Sequence, residues 1–255
     1  DLACRSLWSG ECRVALAGGV NIILNPESYV IYSRLSMLSR DGRCKAFDAR
    51  GDGFVKGEGA GVVVLKPLSR ALAARDRIYA VILGVGVNQD GRTPGITSPS
   101  RESQEDLLRL VGRGAGVAPR EVTYFEAHGT GTLVGDPIEA AAIGTVLGEG
   151  RPAGQPIRLG SVKTNIGHLE AAAGIAGLIK VCLSIRHRAI PPNLHFIEPN
   201  PDIDFARLNL TVPTKLEPWP EGQAVVAGVN SFGFGGTNAH VLLAGSAADA
   251  DYTAQ

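Results

Sequence analysis

Apolar and polar stretches alternate along the first third of the chain. The apolar stretch at residues 12–20 predicts a buried strand, and the stretch at residues 59–66 predicts another strand, which Pro67 closes. A short helix is predicted before the first strand, ending near Gly10. The stretch between the strands, residues 39–58, is polar and rich in glycine, and it predicts a long ordered loop.

From about residue 77 onward, strand-like and helix-like stretches alternate regularly. Short apolar runs predict strands, whereas apolar residues at helical spacing predict helices. Asp136 is predicted to be the N-cap of a helix in which Pro137 takes the first position. The predicted strands are residues 78–87, 122–127, 157–162, 224–230 and 239–244, and the predicted helices are residues 103–112, 136–147 and 170–185.

This order of elements predicts an α/β architecture, and the chain shows no internal repeat. We expect a first unit over residues 1–76 and a second unit over residues 77–245. Residues 246–255 are small and polar, which is typical of a linker or a disordered tail.

Composition excludes several classes of function. Hydrophobic residues make up 44% of the 255 residues and the formal net charge is zero, which favours a globular protein without a nucleic-acid partner. No apolar run reaches the roughly 18 residues of a membrane span, and the N-terminus lacks a signal-peptide pattern. The four cysteines form no CxxC pair and no zinc-type cluster, so we expect a reducing, cytoplasmic location and no metal.

Glycine is abundant, at 33 residues, and three glycine-containing polar segments each follow a predicted strand directly. These segments are residues 126–132, 163–168 and 230–238. Because ligands bind beyond the carboxyl ends of strands in open α/β sheets, we expect the segments to meet at one edge. Two histidines, one lysine and a glycine-rich turn would then form a site.

Other interpretations of these residues remain open. The run Gly129–Gly131 could be a simple turn, and it matches neither a P-loop nor a dinucleotide-binding fingerprint. The glycine-rich turn at residues 233–236 could be an ordinary hairpin, although two phenylalanines are unusual there. We interpret His187 and His195 as surface residues and His240 as a structural residue.

The motifs themselves resemble one family. The segments EAHGTGT, SVKTNIGH and NSFGFGGTNAH, together with GRCKAFDARGDGFVKGEGAGVVVLKPL and NQDGRT, resemble ketosynthase (β-ketoacyl synthase) domains of modular type I polyketide synthases, within the thiolase superfamily. The resemblance implies a thiolase-like αβαβα layered fold, incomplete here, with the end of the N-terminal half and the whole C-terminal half. It also implies a homodimer in which the strand at residues 13–20 pairs with its twin.

The resemblance further implies decarboxylative Claisen condensation. A malonyl-type extender, carried on the phosphopantetheine of acyl carrier protein, loses CO₂ and attacks an acyl thioester in polyketide or fatty acid synthesis. The implied catalytic residues are His128, His168 and Lys163, with no further cofactor. Thr130 and Thr132 are implied to hold the phosphopantetheine arm. At the acyl pocket the resemblance implies Phe232, Phe234 and Gly235, with Phe234 as the gate.

One family feature is absent from this sequence. The nucleophilic cysteine of such enzymes lies in a Thr-Ala-Cys-Ser-Ser type motif, and Cys4, in LACRSL, resembles only the far end of that helix. We therefore expect the chain alone to be inactive in condensation and to need the N-terminal half, in cis or in trans. The alternatives are an enzyme that only decarboxylates, and a non-catalytic module that binds carrier protein or dimerises. Glu170, at a predicted helix start, is a weaker candidate for a supporting role.

Overall fold

The computed structural model describes residues 1–148, 150–152, 154–219 and 225–245. The tail predicted at residues 246–255 lies outside the described residues. The helices are α1 (Leu2–Trp8), α2 (Glu27–Arg34), α3 (Leu68–Ala73), α4 (Arg101–Ala115), α5 (Gly135–Leu147), α6 (Lys163–Ile166) and α7 (Ala173–His187). The strands are β1 (Ala15–Asn21), β2 (Gly59–Leu65), β3 (Val81–Gln89), β4 (Tyr124–Glu126), β5 (Ile157–Gly160), β6 (Ala189–Ile190), β7 (Leu210–Thr211), β8 (Glu217–Pro218), β9 (Val226–Phe232) and β10 (Thr237–Ala244).

A mixed six-stranded sheet organises the second unit, in the order β3-β10-β9-β4-β5-β7. Strands β9, β4, β5 and β7 run parallel, whereas β10 is antiparallel to both of its neighbours. Residues of the parallel centre, such as Phe125 and Leu159, are fully buried. Both faces of a parallel sheet are covered, and this explains why these strands are apolar throughout.

Helices cover the two faces of this sheet. Helices α4 and α5 pack together on one side, whereas α7 packs on β9 from the other side. Helix α7 also contacts β1 and β2 on its opposite side, so it lies between two sheets. Its small residues allow this close packing, since a Cβ on Gly177 would lie 3.3 Å from Cγ of Glu126. The result is a mixed α/β layered fold of the kind expected.

Strands β1 and β2 form a two-stranded antiparallel ribbon, the only strands of their sheet among the described residues. The prediction that residues 12–20 form a buried strand is wrong, because the residues of β1 alternate between half-buried and exposed. The side chains of Leu16, Val62 and Val64 are 69%, 63% and 69% exposed. Apolar residues on both faces are typical of strands that are covered on both sides. Among the described residues, however, one face of the β1–β2 ribbon is uncovered.

Most other element predictions agree with the structure within a few residues. Asp136 is not an N-cap: α5 begins at Gly135 after Val134, and the Asp136 carboxylate binds amides of other segments. The helix predicted at residues 170–185 begins with a separate 3₁₀ turn, Glu170–Ala172. Helix α2 was not predicted, because it has no fully buried residue and no clear apolar stripe.

Candidate active site at the carboxyl ends of β4, β5 and β9

The three predicted segments meet where β9, β4 and β5, neighbouring parallel strands, come to an end. The ring centroids of His128 and His168 lie 5.2 Å apart with the rings nearly perpendicular. Nζ of Lys163 donates to the main-chain oxygen of His128 at 2.5 Å. The sequence prediction that these three residues come together is therefore confirmed as geometry.

The imidazole of His128 is oriented by strand β9. Its Nδ1 accepts a hydrogen bond from the main-chain N–H of Phe232 at 3.2 Å, and the two rings lie 5.4 Å apart. Because an amide can only donate, Nδ1 carries no proton and the neutral ring is protonated at Nε2. Burial holds the pKa of His128 well below its usual value, and the charge of Lys163 and the neighbouring His168 lower it further.

The imidazole of His168 has the same arrangement through a different segment. Its Nδ1 accepts from the main-chain N–H of Glu170 at 2.8 Å, and Phe54 packs edge-on against the ring at 5.4 Å. Burial, then the charges of Lys163 and Lys56, lower the pKa of His168 to about 3. Both imidazoles are therefore neutral at ordinary pH, and both keep the proton on Nε2.

Lys163 opens helix α6 directly after β5 and is buried. Burial lowers its pKa, and the nearby carboxylates of Glu126 and Glu139 oppose this effect. A cation in this position favours neutral imidazoles, since it disfavours a second positive charge close by.

Two carboxylates of α5 hold the loop that carries His128. Glu139 accepts from the main-chain N–H groups of His128 (2.8 Å) and Gly129 (2.9 Å), and also from Nδ2 of Asn230 (2.9 Å). Asp136, one turn earlier, accepts from the amides of Phe47 (2.7 Å) and Gly131 (3.1 Å). Sequence reasoning missed Glu139, although an acidic residue within the apolar run IEAAAI was a usable signal.

A third buried carboxylate joins the ends of two strands. Glu126 accepts from the main-chain N–H of Val162 at 2.5 Å and from the hydroxyl of Tyr124 at 2.7 Å. It also forms an ion pair with Lys180 of α7 at 2.7 Å. Val162 immediately precedes Lys163, so this network sets the separation between Lys163 and the His128 loop. Neither Glu126 nor Lys180 was predicted as a site residue.

The two threonines after His128 lie side by side. Oγ1 of Thr130 is 3.0 Å from Oγ1 of Thr132, and the latter accepts from the main-chain N–H of Gly135 at 3.2 Å. Thr130 is buried and Thr132 is half-buried.

The glycine-rich segment is a hairpin turn between β9 and β10, and it also reaches the site. Gly233 donates to the main-chain oxygen of Thr237 at 2.7 Å, which closes the turn. Phe232 packs on His128, whereas Phe234 is 48% exposed and lies 6.3 Å from the ring of Tyr32. A Cβ at Gly235 would meet no atom within 4 Å, so the turn is open at this position.

The remaining histidines lie apart from this arrangement. His240 is buried on β10, stacks on Phe125 at 5.5 Å and contacts Oδ1 of Asn230 at 2.9 Å, as expected of a structural residue. His187 is exposed at the end of α7, as predicted. His195 is half-buried, and its main-chain oxygen accepts a hydrogen bond from the guanidinium of Arg50.

Three of the four cysteines, Cys4, Cys44 and Cys182, lack the features of an activated nucleophile. Cys44 lies nearest to the loop, with Sγ 3.3 Å from the main-chain oxygen of Thr130, but burial raises its pKa to about 12. Burial also raises the pKa of Cys4, and that of Cys182 to about 11. A thiol must ionise to attack a thioester, so these three are poor candidates.

Neither a metal cluster nor a membrane span is found in the part of the chain that the structure describes. Among those residues, no group of three or more His, Cys, Asp and Glu side chains is arranged to hold a metal ion. No helix in the same residues is long and apolar enough to cross a membrane.

Three family models match successive parts of the chain. They are the β-ketoacyl synthase N-terminal domain (residues 1–71), the β-ketoacyl synthase C-terminal domain (residues 79–197) and the ketoacyl-synthetase C-terminal extension (residues 199–254). Together these models account for nearly every residue.

Curated relatives and solved structures agree with the family models. A phenolphthiocerol/phthiocerol polyketide synthase of Mycobacterium tuberculosis is 55% identical over 95% of the chain, which spans 13% of that protein. Polyketide synthase GfsA of Streptomyces halstedii is 56% identical over 95% of the chain, which spans 3% of it. The ketosynthase from module 6 of the bacillaene synthase of Bacillus subtilis superposes with a TM-score of 0.92 at 48% identity, over 96% of this chain and 45% of that one.

The chain thus spans a small part of its curated relatives and under half of the solved ketosynthase. The His128–His168–Lys163 arrangement lies in the region matched by the C-terminal domain model. On these grounds the chain belongs to the β-ketoacyl synthase family, among the ketosynthases of modular type I polyketide synthases.

Proposed function

We propose that this chain supplies the decarboxylation half of a condensing active site, acting on a malonyl-type thioester carried by acyl carrier protein. One observation carries the proposal: two neutral imidazoles lie 5.2 Å apart, and each has Nδ1 occupied by a main-chain amide. Each ring is therefore left with an Nε2–H that can donate to a single substrate oxygen.

The reaction creates charge at that oxygen. The bond between the extender and its carboxylate breaks, CO₂ leaves, and the bonding electrons move into an enolate whose negative charge lies on the thioester oxygen. Hydrogen bonds from His128 and His168 stabilise this oxyanion. One such donor contributes about 10²–10³ to the rate in other enzymes.

In condensation, the enolate carbon then attacks an acyl thioester on cysteine, a carbon–carbon bond forms, and the cysteine thiolate leaves. The Thr-Ala-Cys-Ser-Ser type motif is absent from this sequence, and burial raises the pKa of Cys4, Cys44 and Cys182. The proposal therefore places the nucleophile on an N-terminal half outside these residues, in cis or in trans. No cofactor beyond the carrier-bound phosphopantetheine takes part.

The substrate-binding roles follow the same geometry. Thr130 and Thr132 bind the phosphopantetheine arm next to His128, which is supported by the position of their paired hydroxyls in the loop that follows His128. Phe232, Phe234 and Gly235 border the acyl pocket, and Phe234 acts as its gate.

We further propose a homodimer in the cytoplasm. The edge of β1 that is not paired with β2 is its proposed contact, and the free cysteines suit a reducing compartment. The first unit would end near residue 76, where the N-terminal domain model also ends within a few residues.

The test measures CO₂ release from malonyl-acyl carrier protein, with the polypeptide as it is expressed from its own gene. His128→Ala and His168→Ala should each lower the rate by about 10²–10³. His187→Ala, which changes an exposed histidine, is the matched control and should leave the rate unchanged. Full activity in both active-site variants would refute the proposal and support a non-catalytic module that binds carrier protein or dimerises.

A second candidate is decarboxylation without condensation. It is supported by the His128–His168–Lys163 arrangement, which contains both proposed oxyanion donors. CO₂ release without a β-ketoacyl product, in the presence of an acyl donor, would identify this activity. Formation of the β-ketoacyl thioester would identify condensation.

A further inference from the structure

We propose that Lys56 is a positioning residue for His168. Its ion pair with Glu170 holds the main-chain N–H of Glu170 on Nδ1 of His168, and so keeps the Nε2–H directed at the substrate. This inference rests on the proposed function, in which His168 donates to the enolate oxygen. Lys56 itself makes no contact with the reacting atoms.

The backbone brings Lys56 and His168 side by side. The main-chain N–H of His168 donates to the oxygen of Val55 at 2.6 Å, and Gly57 donates to the oxygen of His168 at 3.0 Å. Lys56 and His168 are the paired residues of this bridge. A Cβ on Gly167 would lie 2.9 Å from the oxygen of Val55, so glycine is needed for so close an approach.

The ammonium of Lys56 is buried and contacts a carboxylate and two aromatic rings. It binds Oε1 of Glu170, and the side chain of Lys56 is 1% exposed. Its Nζ also lies 4.8 Å from the ring centroid of Tyr32 and 5.7 Å from that of Tyr29, both on α2. The carboxylate and the two aromatic rings all attract the cation, and these contacts anchor the carboxylate that it binds.

Glu170 has an unusual backbone conformation. Its φ is +42°, in the left-handed region that non-glycine residues seldom adopt. In this conformation its main-chain N–H lies 2.8 Å from Nδ1 of His168. Without Lys56, the carboxylate is no longer anchored and the backbone is free to relax toward an ordinary conformation. The amide then moves away from His168, and the imidazole loses the hydrogen bond that directs it.

Four titratable groups face His168. Lys56 approaches from the loop before β2, Glu170 from the following turn, Lys163 from α6 and His128 from the loop after β4. After burial, the charges of Lys163 and Lys56 lower the pKa of His168. Removing the ammonium of Lys56 therefore raises the pKa of His168.

The experiment compares Lys56→Met and Glu170→Gln in the polypeptide as expressed from its own gene. For Lys56→Met we expect kcat for CO₂ release to fall by at least about tenfold, because the donor is misplaced. KM for malonyl-acyl carrier protein should stay the same, and the acid limb of the pH profile should move up by about one unit. Glu170→Gln should also lower kcat, without an upward move of the acid limb. Lys56→Arg should restore most of the activity, because it keeps the charge.

Lys66→Met is the matched control. It removes another lysine–carboxylate ion pair, with Asp76, in which both side chains are at least partly exposed. A second readout is the ¹⁵N spectrum of the His168 ring, which should show the Nε2–H form in the parent and a mixture of forms in Lys56→Met.

The outcomes separate the two proposals. If His168→Ala abolishes CO₂ release while Lys56→Met leaves both the pH profile and the ring spectrum unchanged, the role of Lys56 is refuted and the proposed function stands. If His168→Ala has no effect on CO₂ release, the proposed function fails, and the ring spectrum alone then decides whether Lys56 positions His168.

Discussion

The main-chain N–H of His128 donates to Oε1 of Glu139 at 2.8 Å, and Oε2 of the same carboxylate accepts from Gly129 at 2.9 Å. One buried side chain on α5 therefore holds two successive amides of the loop that carries a proposed catalytic imidazole. Asn230 of β9 binds this carboxylate as well, so the loop is tied to the neighbouring strand.

Replacing Glu139 should lower both the stability of the fold and the activity of the site. In Glu139→Gln, one carboxylate oxygen becomes an NH₂ group that faces a donor, and a buried amide loses its acceptor. We expect a loss of about 1–3 kcal/mol in the free energy of unfolding, together with reduced CO₂ release. Urea unfolding and the decarboxylation assay check both effects. Glu102→Gln, on the exposed first turn of α4, should change neither quantity.

Because of Asp136, the free energy of unfolding should fall as pH rises. Burial raises its pKa to about 7 in the fold, against a reference value of 3.8. The folded chain thus keeps a proton that the unfolded chain loses, so the contribution of this carboxyl is complete below pH 3.8 and is lost as pH rises through about 7.

The measurement for Asp136 is the free energy of unfolding of the parent and of Asp136→Asn between pH 4 and 8. Relative to the variant, the parent should lose up to about 4 kcal/mol across this range, at about 1.4 kcal/mol per unit. A constant difference between the two proteins at every pH would contradict the assignment.

Gly129, the residue directly after His128, should tolerate no side chain. Its φ is +42°, and an added Cβ would lie 2.8 Å from Cβ of Ser161. We expect Gly129→Ala to lower stability by about 2–4 kcal/mol, through backbone strain and overpacking together, and to abolish decarboxylation. Gly42→Ala is the control for strain alone, since Gly42 has φ +68° and open space around it. An equal effect of the two changes on CO₂ release would show that contact with Ser161 is unimportant.

Replacing only one partner of the ion pair between Glu126 and Lys180 should lower the free energy of unfolding strongly. The side chain of Glu126 is 2% exposed and that of Lys180 is 13% exposed. Lys180→Met leaves a buried carboxylate without its cation, and we expect a loss of about 3–5 kcal/mol. The double variant Glu126→Gln with Lys180→Met should recover part of this loss, and a double-mutant cycle by chemical unfolding measures the difference. Additive single effects would show that the two charges are not coupled.

Several features of the site were predictable because they depend on local pattern. Short apolar runs followed by glycine and polar residues indicated the ends of β4, β5 and β9, and parallel strands bring such ends to one edge. His128, His168 and Lys163 were therefore expected to meet. Their roles in catalysis remain predictions, to be decided by the substitutions above.

Other features depend on contacts between distant parts of the chain. Lys56 and Glu170 are 114 positions apart, and nothing local marks either one as a partner of the other. Asp136 was predicted to be a helix N-cap because it directly precedes Pro137 at the start of a predicted helix. Its carboxylate instead binds the main-chain amides of Phe47 and Gly131. Strand β1 was predicted to be buried because its residues are apolar, and only the packing of α7 shows which face is covered.

The sequence by itself determined the α/β class, the order of the elements and the motifs that place the chain in its family, because hydrophobic periodicity and turn chemistry are encoded locally. Only the tertiary structure decided that both imidazoles are neutral with the proton on Nε2, and which buried carboxylates hold the loops around them. Those properties depend on burial and on distances of a few ångströms between residues far apart in the chain, and they exist only once the layers have packed.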